Sequence, residues 1–234
     1  MRIDRLELLT TDLAAQKRFY TDELPLPVVA SSGVDLSLQA GRSQLTFLRA
    51  PAGWAGFYHF AFNIPEDQFL EAKRWLSGRV TLIKDIKGDD EFASTEWNAH
   101  SVYFFDPAGN ILEFIARHDL AEHRDSPFSA ESILSISEIG IVAEDVPAVV
   151  EHLGSQIGVK PYQGPGSEKF TAVGDMHGLF IVVKRGRIWF PDTGKGAVPA
   201  PVLVDVTTDT GRRYRLSGPP YEVTVLHSGR SGKA

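Results

Sequence analysis

The sequence predicts an α+β fold made of tandem βαβββ modules, arranged as two paired halves with a degenerate fourth module. Three observations predict it. One strand–helix–strand plan recurs along the chain, which marks a modular architecture before any local assignment is made. The strand segments alternate or run apolar over short stretches, and each helical segment opens on a capping residue or a proline.

The first module starts at Ile3 with "IDRLELLTTDLAAQKRFYTDELPLP". It reads as an alternating strand, an N-cap at Thr11 or Asp12, and a helix offering Leu13, Phe19, Tyr20 and Leu24 for burial. "DLSLQAG" and "SQLTFLRA" supply its later strands. The second, "FYHFAFNIPEDQFLEAKRWLSGRV" from Phe57, repeats the plan: a strand, Pro65 at the helix start, then Phe69, Ala72 and Leu76 at helical spacing. Its strands are expected in "VTLIKDI", "SVYFF" and "NILEFIA". The third, "ISEIGIVAEDVPAVVEHLGSQIGV" from Ile136, buries Val146, Val149, Val150 and Leu153 and continues with "KFTAVGD" and "LFIVVKR". Arg5, His59 and Glu138 hold matching places in the three first strands.

The segment from Arg117, "RHDLAEHRDSPFSAES", is polar and suits a surface linker. After Arg185 a Pro/Gly-rich connection, "PDTGKGAVPAP", leads to two strand-like runs, "VLVDVTT" and "YEVTVLH". They read as a fourth unit without its helix, and "GRRYR" between them reads as a solvated loop. The expected division is 1–118 for a first half of two modules, 119–132 for the linker, 133–228 for the second half and 229–234 for a disordered tail.

With 234 residues and 43% hydrophobic side chains the chain can bury a substantial core. The net charge of −6, with both signs interspersed, favours neither nucleic-acid phosphates nor an anionic membrane. A small-molecule ligand or substrate is the expected partner, with no nucleic acid and no membrane. No long apolar run and no signal-peptide core is present, so a cytoplasmic location is expected. Without cysteine there are no disulfides or thiolate ligands, and any metal must use His, carboxylates, amides or water.

"FYTDELPLP", "HFAFNIP" and "YFFDPAGNILEF", in this order and separation, resemble segments of the vicinal oxygen chelate superfamily. That superfamily includes glyoxalase I, fosfomycin-resistance thiol transferases, bleomycin-resistance proteins and extradiol dioxygenases. The resemblance covers the first half by motif and the second by repeat pattern. It implies paired modules curled into half-open, cup-shaped mixed sheets that hold a divalent metal. Carried over residue by residue, it puts His59 and Glu113 on the metal positions, while Arg5 stands where the family often has a further histidine.

The residues support that chemistry independently. Strand alternation puts His59, Ala61 and Asn63 on one face and Ile111, Glu113 and Ile115 on one face of another strand. If both faces meet, an imidazole and a carboxylate converge in an apolar cavity, where a cation offsets the cost of burying the charge. Such donors suit Mn, Fe, Zn, Ni or Co better than Ca or Mg. Glu113 is also the expected catalytic residue. A third ligand is sought in Glu7, which shares the face of Arg5, or in His100, if a bulge turns it inward. Arg5, Ser101, Tyr103, Asn63 and His100 are the expected substrate-binding residues. His118, His123, His152 and His177 are assigned to the surface. Glu138 could mark a second cup, with the second half acting as a structural or lid-forming partner. In "DPAGN", Asp106 starts a turn, Pro107 fixes φ, and Gly109 or Asn110 takes φ > 0.

These readings lead to a divalent-metal-dependent enzyme of glyoxalase or dioxygenase type acting on a small oxygenated substrate. The alternative is a metal-free protein that sequesters or senses an anionic or aromatic molecule, with Arg5 replacing the metal charge. A homodimer is an option for either, since cups of this kind close within one chain or between two.

Overall fold

The computed structural model describes residues 1–227, so the tail expected at 229–234 lies outside the described residues. The first module contains β1 (Arg2–Thr10), α1 (Leu13–Arg18), β2 (Val28–Ser31), β3 (Asp35–Ala40) and β4 (Ser43–Arg49). Asp12 is the cap of α1: its carboxylate accepts from the Ala15 N–H at 2.8 Å. A π-helical turn, Phe19–Glu23, then buries Phe19 and Tyr20.

The second module contains β5 (His59–Ile64), α2 (Phe69–Ser77), β6 (Phe92–Ser94), β7 (Ala99–Phe105) and β8 (Ile111–Arg117). "VTLIKDI" does not form the expected strand; only Leu82 bridges to Phe104. Asp85 competes with the ladder, accepting from the backbone N–H groups of Lys87 and Asp89 at 2.8 and 2.9 Å, and so closes a local turn.

The third module contains β9 (Ser135–Ala143), α3 (Val146–Ile157), β10 (Phe170–Asp175) and β11 (Gly178–Lys184). Asp145 caps α3, and Gly158 ends it at φ 85°, a left-handed position suited to glycine. The fourth unit is strand only: β12 (Val202–Thr207), β13 (Arg213–Gly218) and β14 (Glu222–Leu226). "GRRYR" is therefore not a solvated loop. Its second part enters β13, because Arg215 forks onto Asp205 of β12 at 2.7 and 2.8 Å.

Two seven-stranded mixed sheets result, ordered β14-β13-β12-β1-β4-β3-β2 and β10-β11-β9-β5-β8-β7-β6. The first module thus shares a sheet with the fourth, and the second with the third. This differs from the expected pairing of consecutive modules within each sequence half. The seam of each sheet is an antiparallel pair of leading strands, β1 with β12 and β5 with β9. Which leading strand meets which is a long-range choice that a repeat pattern does not encode.

Alternation divides the second sheet into two faces, with one register shift in the β5–β9 pairing. Phe60 and Phe62 of β5, Phe114 of β8 and Ile139 and Ile141 of β9 enter a core shared with Leu6, Leu8 and Phe47 of the first sheet. The other faces of the same strands line a concave surface with its own apolar cluster, including Tyr103, Ile111, Val142 and Ile181. Among the described residues no helix is long and apolar enough to cross a membrane.

Candidate metal centre

The concave face of the second sheet holds a cavity of about 450 Å³, with His59, Glu113 and Glu138 on its wall. Register explains why these three meet. Ala61 is the neighbour of Glu113 on β8 and of Glu138 on β9. Two carboxylates therefore flank a methyl group, and the small side chain leaves the space above it free. His59 stands two residues away on the same face of β5. A register shift between Ala61 and Phe62 lies in the β5–β9 pairing, a local irregularity of the kind found beside functional sites.

The donor atoms of these three residues all lie within 4.8 Å of one another, and every side chain is buried. His59 Nε2 is 3.7 Å from Glu113 Oε2 and 3.9 Å from Glu138 Oε2. Its Nδ1 lies 3.1 Å from the Ile111 carbonyl, which can only accept. That contact makes Nδ1 a donor and leaves Nε2 as the ring nitrogen that faces the two carboxylates. The set fits a cation: three potential donor side chains converge in a buried space, and the imidazole is oriented through its other ring nitrogen.

Arg117, the last residue of β8, continues the Ile111, Glu113, Ile115 face and donates to Glu138 Oε1. It reaches the Ser137 hydroxyl at 3.3 Å and lies 5.2 Å from the Trp97 ring centre. Glu138 is thus held through its outer oxygen, and Oε2 is left facing His59. Burial, followed by the negative charge of Glu138, pushes the Glu113 carboxyl up to about 7; His59, Ser101 and Arg117 pull the other way. Burial and the charges of Glu113 and Glu138 raise Tyr103 well above the usual phenol range, so its hydroxyl stays a proton donor.

Of the residues expected from sequence, His59 and Glu113 come together, and Ser101 and Tyr103 line the same cavity. Asn63 shares their face but lies at the far end of β5, where its amide donates to the Met176 carbonyl at 3.1 Å. Arg5 and Glu7 are corrections. They lie on β1, in the other sheet, and pair with each other at 2.6 Å, so neither reaches His59. His100 is on the opposite face of β7, with Nδ1 2.8 Å from His118 Nε2, because no bulge turns it inward. His118 is half-buried in that contact and in a 3.0 Å contact with Glu66, not free on the surface.

Glu138 belongs to the cup of His59, not to a second one. Its match to His59 by repeat position, and its place as a lone acid in "ISEIGIVA", were the available signals. Period-two spacing from Glu113 was the signal for Arg117. Trp189, whose ring centre lies 4.8 Å from that of His59, sits in a Pro/Gly-rich connection with no periodic signal.

No protein-family model and no curated protein matches the chain. Solved structures do. A candidate dioxygenase from Bacillus subtilis aligns over 93% of this chain and 81% of its own, at 13% identity and a TM-score of 0.61. A lactoylglutathione lyase from Agrobacterium tumefaciens covers 48% of this chain and 91% of its own, at 25% identity and a TM-score of 0.40. A glyoxalase/bleomycin resistance protein/dioxygenase from Nocardioides covers 55% and 90%, at 19% identity and a TM-score of 0.41. The first of these carries the fold: the chain shares the tandem-module, mixed-sheet architecture of the Bacillus subtilis structure.

Proposed function

We propose that the chain is a divalent-metal-dependent enzyme acting on a small oxygenated molecule, with the cation held by His59, Glu113 and Glu138. The observation that best supports this reading is the Nδ1 contact of His59 with the Ile111 carbonyl, which commits Nε2 to the space between two buried carboxylates. An imidazole with two carboxylates suits Mn, Fe, Zn, Ni or Co, and three protein donors are the pattern of catalytic rather than structural sites. When bound, such a cation supplies Lewis acidity toward substrate oxygens. The chain's own residues do the rest. Arg117 fixes Glu138 in place. Glu113 is the cavity carboxylate placed to take up a substrate proton, and the Tyr103 hydroxyl donates a hydrogen bond inside the cavity. The metal-free alternative gave the cation's place to Arg5, and no observation favours it, since that guanidinium is spent on Glu7 in the other sheet.

The test is metal analysis of protein purified without chelator or affinity tag, repeated on His59→Ala and Glu113→Gln. The expected result is a stoichiometric transition metal in the wild type that is lost from both variants. A wild type without metal contradicts the reading.

A further inference from the structure

Three residues of the cavity wall, Arg187, Trp189 and Phe190, come from outside the modules. Residues 185–201, between β11 and β12, form a strap that carries them. The Gly186 N–H donates to the Ala197 carbonyl and the Ala197 N–H to that of Arg187, both at 2.8 Å, so the strap closes on itself. Lys195 ties it to the carbonyl of Gly109. The strap sets Trp189 beside His59, packs Phe190 on Phe92 at 4.8 Å, and brings Arg187 to the cavity.

Arg187 is half-buried with its guanidinium carbon 4.9 Å from the centre of the Phe170 ring. Among the described residues no carboxylate lies within ion-pair distance of it, and its one side-chain hydrogen bond is a 3.4 Å contact with the Ile188 carbonyl. Burial lowers its pKa and no acid offsets the shift. Glu96, also on the wall, is exposed and makes no ion pair with it. A guanidinium taken partly out of water without an anion is costly, and its planar fork matches a carboxylate. Around it the wall is aromatic: Phe92, Trp97, Phe170 and Phe190.

We propose that the cavity takes a small planar aromatic acid, with its carboxylate on Arg187, its ring against these aromatic side chains, and its oxygenated end toward His59, Glu113 and Glu138. The proposal deepens the function given above and rests on it for the end that reaches the metal donors. The volume of about 450 Å³ suits a molecule of this size.

Calorimetric titration with two matched pairs of probes, salicylate against phenol and protocatechuate against catechol, tests it on the protein as purified. The wild type should bind the acid of each pair about tenfold tighter or more, as a charge-assisted bidentate contact provides. Arg187→Met should bring the ratio close to one while the neutral probes bind as before, and Arg187→Lys, which keeps the charge without the fork, should retain part of it. An unchanged ratio in Arg187→Met, or a wild type that binds neither acid at millimolar concentration, overturns the proposal. Metal content measured on the same samples separates the two claims. A ratio that depends on Arg187 in metal-free protein leaves the anion site standing and removes the metal reading; stoichiometric metal without the ratio does the reverse.

Discussion

The Arg117 guanidinium and the Glu138 carboxylate meet in full burial at the seam of the second and third modules, one from the end of β8 and the other from β9. The pair joins two modules and orients the Glu138 carboxylate toward His59 at once. Arg117→Met leaves Glu138 buried without its counter-charge, and the expected loss is about 3 to 5 kcal/mol in urea denaturation. Adding Glu138→Met should recover much of that loss, because the unpaired charge is gone. A single variant as stable as the wild type contradicts the account of the pair.

Asp106 is the second buried carboxylate that joins modules. One oxygen accepts from the backbone N–H groups of Ala108 and Asn110, and the other from the side chains of Gln16, Tyr20 and Asn110. The "DPAGN" turn thereby fastens the first module's helix, with Gly109 at φ 75° as the turn requires. Asp106→Ala orphans these donors and should cost about 3 to 5 kcal/mol without changing metal content. Urea midpoints and metal analysis of the same samples check both halves of that expectation.

What was legible in the sequence was local. Period-two alternation on β5 and β8 put His59 and Glu113 on matching faces, and the repeat gave the module plan. Glu138 escaped because its place is set by an antiparallel register, Ala61 against Glu138, formed between modules. Arg117 escaped because a charged residue at the start of a polar run reads as solvated, whereas here it is buried and paired with an acid from another module. Arg5 and Glu7 misled for the same reason: their strand matches β5 by repeat but is paired into the other sheet.

Glu113 gives the metal-free protein a pH dependence of definite sign. Its folded-state pKa is raised from 4.5 to about 7, so between these values the fold holds a proton that the unfolded chain has released. The contribution is fully present below about 4.5 and is lost as pH rises toward 7, amounting to a few kcal/mol. Chelator-treated protein should therefore lose urea stability across this window, and Glu113→Gln should flatten the slope. A metal-free wild type that gains stability over the same range contradicts the assignment.

Glu138, not Glu7, is the proposed third donor beside His59 and Glu113. Mn(II) titration followed by electron paramagnetic resonance tests it directly on the wild type, Glu138→Gln and Glu7→Gln. The account predicts affinity at least about a hundredfold weaker for Glu138→Gln, beyond the usual cost of losing an outer-shell partner, and wild-type affinity for Glu7→Gln. Wild-type Mn(II) affinity in Glu138→Gln, or its loss in Glu7→Gln, would contradict it.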